Sequence, residues 1–361
     1  MKFKNLQPMK FATKYCLFFI ALAVCTAVSY FIFISYRDKC IKEELGKKRI
    51  FLRELISGNI EEIKKLYSKY NIDIKRIEYL GGSAIFIPLS GYKNSTEKTW
   101  EVMNFLISKG ANIHDRNSNG TTILMHAIYM QTPLELIENL LKAGVEPGLK
   151  DDSGDTALHC SSRNQDIRYA SLILKYGADI NAGDKNNRTT LYQALNNGNY
   201  KLAEFLIGKG ADVNISSYES PLSLAVYNNQ AELVKLILEH KGNPNIRNSS
   251  NQTPLNIAAA RGSYEIVDLL LNYKADPDIG DDKKITPLFY AVIDCDYKMA
   301  QILMEHKADP DIKNNYGESP LSLAGKRLND PQFDRKEYEK ILNVLKTNRY
   351  GIQAELKTYN E

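Results

Sequence analysis

The chain has 361 residues, 43% hydrophobic and 25% charged, a composition that excludes disorder throughout, collagen and a small disulfide scaffold. Of its 47 Lys+Arg and 43 Asp+Glu, nine bases and three acids fall in residues 1–48, which leaves 38 bases and 40 acids for the rest. The folded part is therefore slightly acidic, and a nucleic-acid-binding surface, which needs a basic face, is not expected.

Residues 1–14 form a basic tail with four Lys and no acid. Residues 15–35, YCLFFIALAVCTAVSYFIFIS, then run without a charge or a proline. As a helix this stretch would be about 32 Å long, which matches a hydrocarbon core of about 30 Å. A single transmembrane helix acting as a signal-anchor is expected there, followed by a charged juxtamembrane linker over 36–48. The Lys-rich tail favours retention of the N-terminus, so the rest of the chain is expected outside. The composition, rich in Lys, Asn, Ile and Tyr, suggests a bacterial inner membrane. A cleaved signal peptide is the competing reading, with Ala21-Leu22-Ala23 as the cleavage point and a soluble exported product.

From residue 49 to 349 one hexapeptide pattern sets the organisation. It reads Thr122-Ile-Leu-Met-His-Ala127, Thr156-Ala-Leu-His-Cys-Ser161, Thr189-Thr-Leu-Tyr-Gln-Ala194 and Ser220-Pro-Leu-Ser-Leu-Ala225. It continues as Thr253-Pro-Leu-Asn-Ile-Ala258, Thr286-Pro-Leu-Phe-Tyr-Ala291 and Ser319-Pro-Leu-Ser-Leu-Ala324. The central leucines are spaced 34, 33, 31, 33, 33 and 33 residues apart. Thr or Ser caps a helix start, Pro fits just inside it, and the small Ala lets neighbouring helices approach. A second apolar helix follows each, as in Tyr264–Leu271. Two residues before the caps stand Gly120, Gly154, Asn187, Asn251 and Gly317, types that accept positive φ, whereas Lys284 breaks that rule. Five before the caps stand Asn117, Asp151, Asp184, Asn248, Asp281 and Asn314, suited to Asx turns. The finger before Ser220 is two residues short. Upstream, Phe51–Leu66 reads as a helix pair, and Ser83–Ile107 as a degenerate repeat with an insertion over Lys93–Trp100. Residues 350–361 read as a C-terminal tail.

The motif and its period together resemble the ankyrin repeat, with T-P-L-H-x-A recurring near 33 residues. The resemblance implies an all-α solenoid of about eight helix–turn–helix units with hairpin fingers. It also implies that His159, at the family's motif position, bonds between neighbouring loops, and that proteins bind at the finger tips and first helices. Carried over by position, the partner-binding candidates are Tyr129, Met130, Asp152, Arg163, Lys185, Tyr227, Asp282, Ile293 and Tyr316. Aromatic and Met side chains are enriched at interfaces, and Tyr129, Met130, Tyr227, Ile293 and Tyr316 stand out among otherwise polar positions.

Chemistry is not expected. His114, His126, His159, His240 and His306 follow the repeat beat and not a metal-ligand spacing, and no phosphate-loop, zinc or nucleophile-elbow motif occurs. The expectation is a non-catalytic interaction scaffold at a membrane, with a protein partner and with no cofactor, no metal, no nucleic acid and no small-molecule substrate. An immunity or inhibitor protein that neutralises a toxin or enzyme is the alternative.

Overall fold

A computed structural model describes residues 43–79, 81–90, 95–164 and 166–358, with side chains through 347. The expected membrane segment, 15–35, lies outside the described residues; among those described, no helix is long and apolar enough to cross a membrane. The chain divides into two compact units, residues 1–115 and 116–361.

In the first unit, helix α1 covers 43–57 and α2 covers Ile60–Tyr70. The helix thus begins inside the stretch expected as a linker. Glu43 pairs with Lys47 and Glu44 with Lys48 across one turn, so a charged sequence here supports a helix. Phe51, Leu55, Ile63 and Leu66 are buried, as the expected helix pair requires. Strands β1 (Glu78–Tyr79) and β2 (Gly82–Ser83) form a short antiparallel hairpin, a small exception to an all-α chain. The segment Ala84–Ser90 is a 3-10 helix, because Pro88 sits inside it and cannot donate to an α-helical ladder. Ser95 caps α3 (Thr96–Ser108), so the expected insertion ends at residue 95 rather than 100. Tyr67 packs edge-on against Phe105 at 5.5 Å between ring centres.

The second unit is a row of helix pairs. The first helices are α4 (Ile123–Tyr129), α6 (Ala157–Cys160), α8 (Thr190–Asn196), α10 (Pro221–Tyr227), α12 (Pro254–Ala260), α14 (Pro287–Ile293) and α16 (Pro320–Leu328). The second helices are α5 (Leu134–Lys142), α7 (Ile167–Lys175), α9 (Tyr200–Gly208), α11 (Ala231–Glu239), α13 (Tyr264–Asn272), α15 (Tyr297–Glu305) and α17 (Arg335–Thr358). Helix α17 continues past the expected boundary at 349. Each first helix starts one residue after its motif Thr or Ser. The cap oxygen accepts the third helical N–H at Thr122, Thr189, Ser220, Thr253 and Ser319. Ala127, Ala194, Ala225, Ala258, Ala291 and Ala324 are all buried between successive first helices, where a larger side chain would push them apart.

Six fingers share one hydrogen-bond pattern. At Asn117, Asp151, Asp184, Asn248, Asp281 and Asn314 the side-chain Oδ1 accepts backbone N–H groups two and four residues on. The same residue's N–H donates to the carbonyl four residues on, closing the turn. Gly154 has φ +84°, and a Cβ there would lie 2.6 Å from the Lys185 nitrogen. That closeness lets one finger lie on the next, with Lys185 N–H donating to the Ser153 carbonyl. Asn187, Asn251 and Lys284 also have positive φ, so the Lys that breaks the sequence rule takes the same conformation as the residues that obey it. The short finger before Ser220 has Ile215 in the Asx position and forms no such turn.

Asp184 is the acidic member with its own cation: Arg188 Nε and Nη2 both lie 2.7 Å from its Oδ2. Burial pushes this carboxyl up, but the hydrogen bonds from Arg188 and from the Asn186 N–H outweigh burial and hold it below the usual range. A depressed native pKa stabilises the fold above the unfolded value of about 4, and that stabilisation is lost as pH falls through the native value. Asp184→Asn keeps the turn, as Asn117 shows, and removes the charge. It should cost about 1 kcal/mol at pH 7. The gap from wild type should close below about pH 4. Melting curves at pH 7, 5, 4 and 3 check this; a gap that is constant with pH would rule out the charge as its source.

Candidate partner-binding face

The structure brings four of the expected candidates into side-chain arrangements and leaves five as separate surface positions. Tyr129 ends α4 and is 49% exposed, and the Arg163 guanidinium of the next repeat lies over its ring at 5.6 Å and donates to its hydroxyl. Burial of the rest of the ring raises the Tyr129 pKa, with Arg163 opposing. Tyr227 ends α10 and is 58% exposed, and Arg261 of the next repeat lies over its ring at 4.5 Å. The same device therefore recurs 98 residues on. Each long Arg side chain is held by an aromatic face from the preceding repeat, so its charge is presented with little freedom left to lose.

Asp282 is also engaged: its Oδ1 accepts from Asn251 Nδ2 at 2.7 Å, and its carbonyl accepts from Asn315 Nδ2 at 2.9 Å. This tip is a link between three fingers as well as a surface carboxylate. Asp152 and Lys185 are exposed tips whose backbones are tied to the preceding finger. Met130 is half-buried. Ile293 is 39% exposed, and its carbonyl accepts from Arg327 Nη1 at 2.6 Å. Tyr316, at the last finger tip, is 71% exposed, with its N–H donating to Asn314.

A groove of 480 Å³ opens between the first helices and fingers of the repeats at Ser220 and Thr253. Leu224, Ile257 and Tyr227 supply its apolar wall, and Glu219, Asn248 and Arg261 its polar one. Asn248 Nδ2 donates to Glu219 Oε1 at 3.0 Å. Burial raises the Glu219 carboxyl, and that hydrogen bond opposes the rise. Glu219 was not among the residues singled out in the sequence. It precedes a cap, a position that carries no motif, and only the tertiary contacts mark it.

Among the His and Cys residues, His159 is held by structural hydrogen bonds. The backbone N–H of Thr156 donates to His159 Nδ1 at 3.1 Å, so the proton sits on Nε2, which lies 2.9 Å from the Arg188 carbonyl. That is the bond between neighbouring loops that the resemblance implies. Burial lowers the His126 pKa. Cys160 is buried with its thiol pushed up to about 12, far from the thiolate range, and Cys295 is free and half-buried.

A family model for ankyrin repeats (3 copies) matches residues 128–217, 202–281, 222–314 and 262–330, together more than half of the chain. An ankyrin repeat domain from Acinetobacter baumannii AYE, known from its crystal structure, is 26% identical over 53% of this chain and 96% of that one, with a TM-score of 0.48. No curated protein matches. The caps, the finger ladder, the helix pairs and the family match agree, and the chain belongs to the ankyrin repeat family, whose repeats serve as protein–protein interaction scaffolds.

Proposed function

We propose that the second unit holds a protein partner against the face formed by its finger tips and first helices, without catalysis, and that residues 15–35 confine the complex to a membrane. The observation that carries the first half is the pairing of exposed aromatics with held cations, Tyr129 with Arg163 and Tyr227 with Arg261. Tyr and Arg are the side chains most enriched where binding energy concentrates, and immobilised ones lose the least entropy on docking. Fingers bonded to one another make the frame rigid, so specificity resides in the tips. The second half rests on sequence: 21 uncharged residues of spanning length, flanked by Lys14 and Arg37.

Two experiments test the two halves. Tyr129→Ala combined with Tyr227→Ala should weaken capture of the physiological partner at least about 100-fold, since central aromatic anchors are each worth about 2 kcal/mol or more. The melting temperature should stay within a few degrees of wild type. Unchanged capture would remove this face from the reading. C-terminal fusions to a reporter active only outside the cytoplasm, and to one fluorescent only inside, should report an external domain. An immunoblot of the fusion should show it uncut. A cleaved product would replace the tether with a soluble exported protein, and an internal domain would reverse the orientation.

A further inference from the structure

At two places in the row the residue before a helix cap and the residue four after the next cap, 38 on in sequence, form a cross-repeat pair. Asp155 Oδ1 accepts from Gln193 Nε2 at 2.9 Å, and Gln252 Nε2 donates to the Tyr290 hydroxyl at 3.5 Å. At Glu219 the corresponding residue, 38 on, is Ile257, which has nothing to donate. Glu219 Oε1 is held by Asn248, but Oε2 is buried and has no partner among the described residues. Glu219 and Ile257 both line the groove described above. Elsewhere in the row the same position is satisfied within the stack: Arg188 pairs with Asp184, and Glu318 with Lys326.

A buried acceptor without a donor costs about 1–3 kcal/mol, more when charged, and that cost falls away when a ligand supplies the donor. The donor has to enter along Leu224, Ile257 and the Tyr227 ring, which suits a long aliphatic stem with a cationic head. We infer that this groove receives a single Lys or Arg side chain of the protein partner, its stem on Leu224 and Ile257 and its head donating to Glu219 Oε2. The inference rests on the reading of this face as the partner-binding surface and specifies the chemistry that it selects. Arg261 is stacked on Tyr227, so an acidic partner residue beside that Lys or Arg would meet a cation already in place.

The test uses the full chain in detergent micelles as bait for random dodecapeptides displayed on phage. Enriched peptides should share one Lys or Arg flanked by apolar residues. Resynthesised with norleucine in place of that cation, they should bind at least about tenfold more weakly. Glu219→Gln keeps the acceptor for Asn248, so the fold stays intact, and it should lose the same factor. Ile257→Gln should lose it too, by restoring the internal donor that Gln193 provides to Asp155, with a melting temperature equal to or above wild type. Peptides that lack a common cation, an absence of enriched peptides, or equal binding to both variants would overturn the inference. Peptides indifferent to Glu219→Gln and Ile257→Gln but lost in the Tyr129→Ala/Tyr227→Ala variant would overturn it alone and leave the binding face standing. Peptides indifferent to all of these variants would overturn both.

Discussion

Leu255→Ala should lower the unfolding free energy by about 2–5 kcal/mol, while Leu321→Ala, the same motif leucine two repeats on, should cost about 1 kcal/mol. Leu255 is 0% exposed, between the first helices of its neighbours, and its removal leaves a cavity that the flanking helices cannot close without separating from their own partners. Leu321 is half-buried, because α16 is the last first helix and α17 packs against it where a further repeat would otherwise lie. For a domain of this size each kcal/mol is worth roughly 2–4 °C in melting temperature. The two variants should therefore be well separated in thermal unfolding followed by circular dichroism. Equal losses would mean that the end of the row is packed as tightly as its middle. Because a row of repeats is stabilised by nearest-neighbour contacts, Leu255→Ala should also broaden the transition, with the flanking repeats melting apart.

The second large effect is expected at Asn256, which is 0% exposed and holds the position that His159 occupies three motif copies earlier. Its Oδ1 accepts from the Thr253 N–H at 2.8 Å and from the Thr253 hydroxyl at 2.9 Å. Its Nδ2 reaches the Ile279 carbonyl at 3.1 Å and the Ile285 carbonyl at 3.4 Å, in the loop and finger that lead to the next repeat. Asn256→Ala removes both sides of this bridge and leaves buried backbone groups unpaired, at about 3 kcal/mol in total. Asn256→His should recover most of that loss. His159 makes the equivalent pair of contacts, to the Thr156 N–H on one side and the Arg188 carbonyl on the other. Urea unfolding of the three proteins decides the matter. If the His variant is as unstable as the Ala variant, the two residues do not share a role, and the bridge is specific to the Asn geometry.

Much of this architecture can be read in advance because its elements are local. A cap acts on N–H groups within one turn, and an Asx turn closes over four residues, so Thr253 or Asp281 carries its instruction in its own neighbourhood. The repeat period does the rest, since it states seven times that a helix pair recurs. Where the local sequence lacked a preferred residue, the neighbours imposed the conformation, as at Lys284 with its φ of 57°. The spacing over Ser83–Pro88 matches a repeat, but Pro88 interrupts an α-helical ladder and Ala84–Ser90 is a 3-10 helix instead. The charge-rich run over 43–48 reads as a linker, yet its charges lie one turn apart and extend the expected helix backwards to residue 43.

The candidate face was legible only as a set of positions. Counting from the caps places Tyr129 and Tyr227 at the ends of first helices, and both are exposed there. Counting does not say that Arg163 and Arg261 lie over them, nor that Asp282 spends its carboxylate on Asn251. The sequence by itself determined the repeat, its caps and turns and the family, because each depends on residues within one or two turns of each other. Only the tertiary structure decided which acceptor goes unpaired and which leucine is truly enclosed. Those outcomes depend on what a neighbouring repeat places opposite, as Ile257 stands where Glu219 would need a donor.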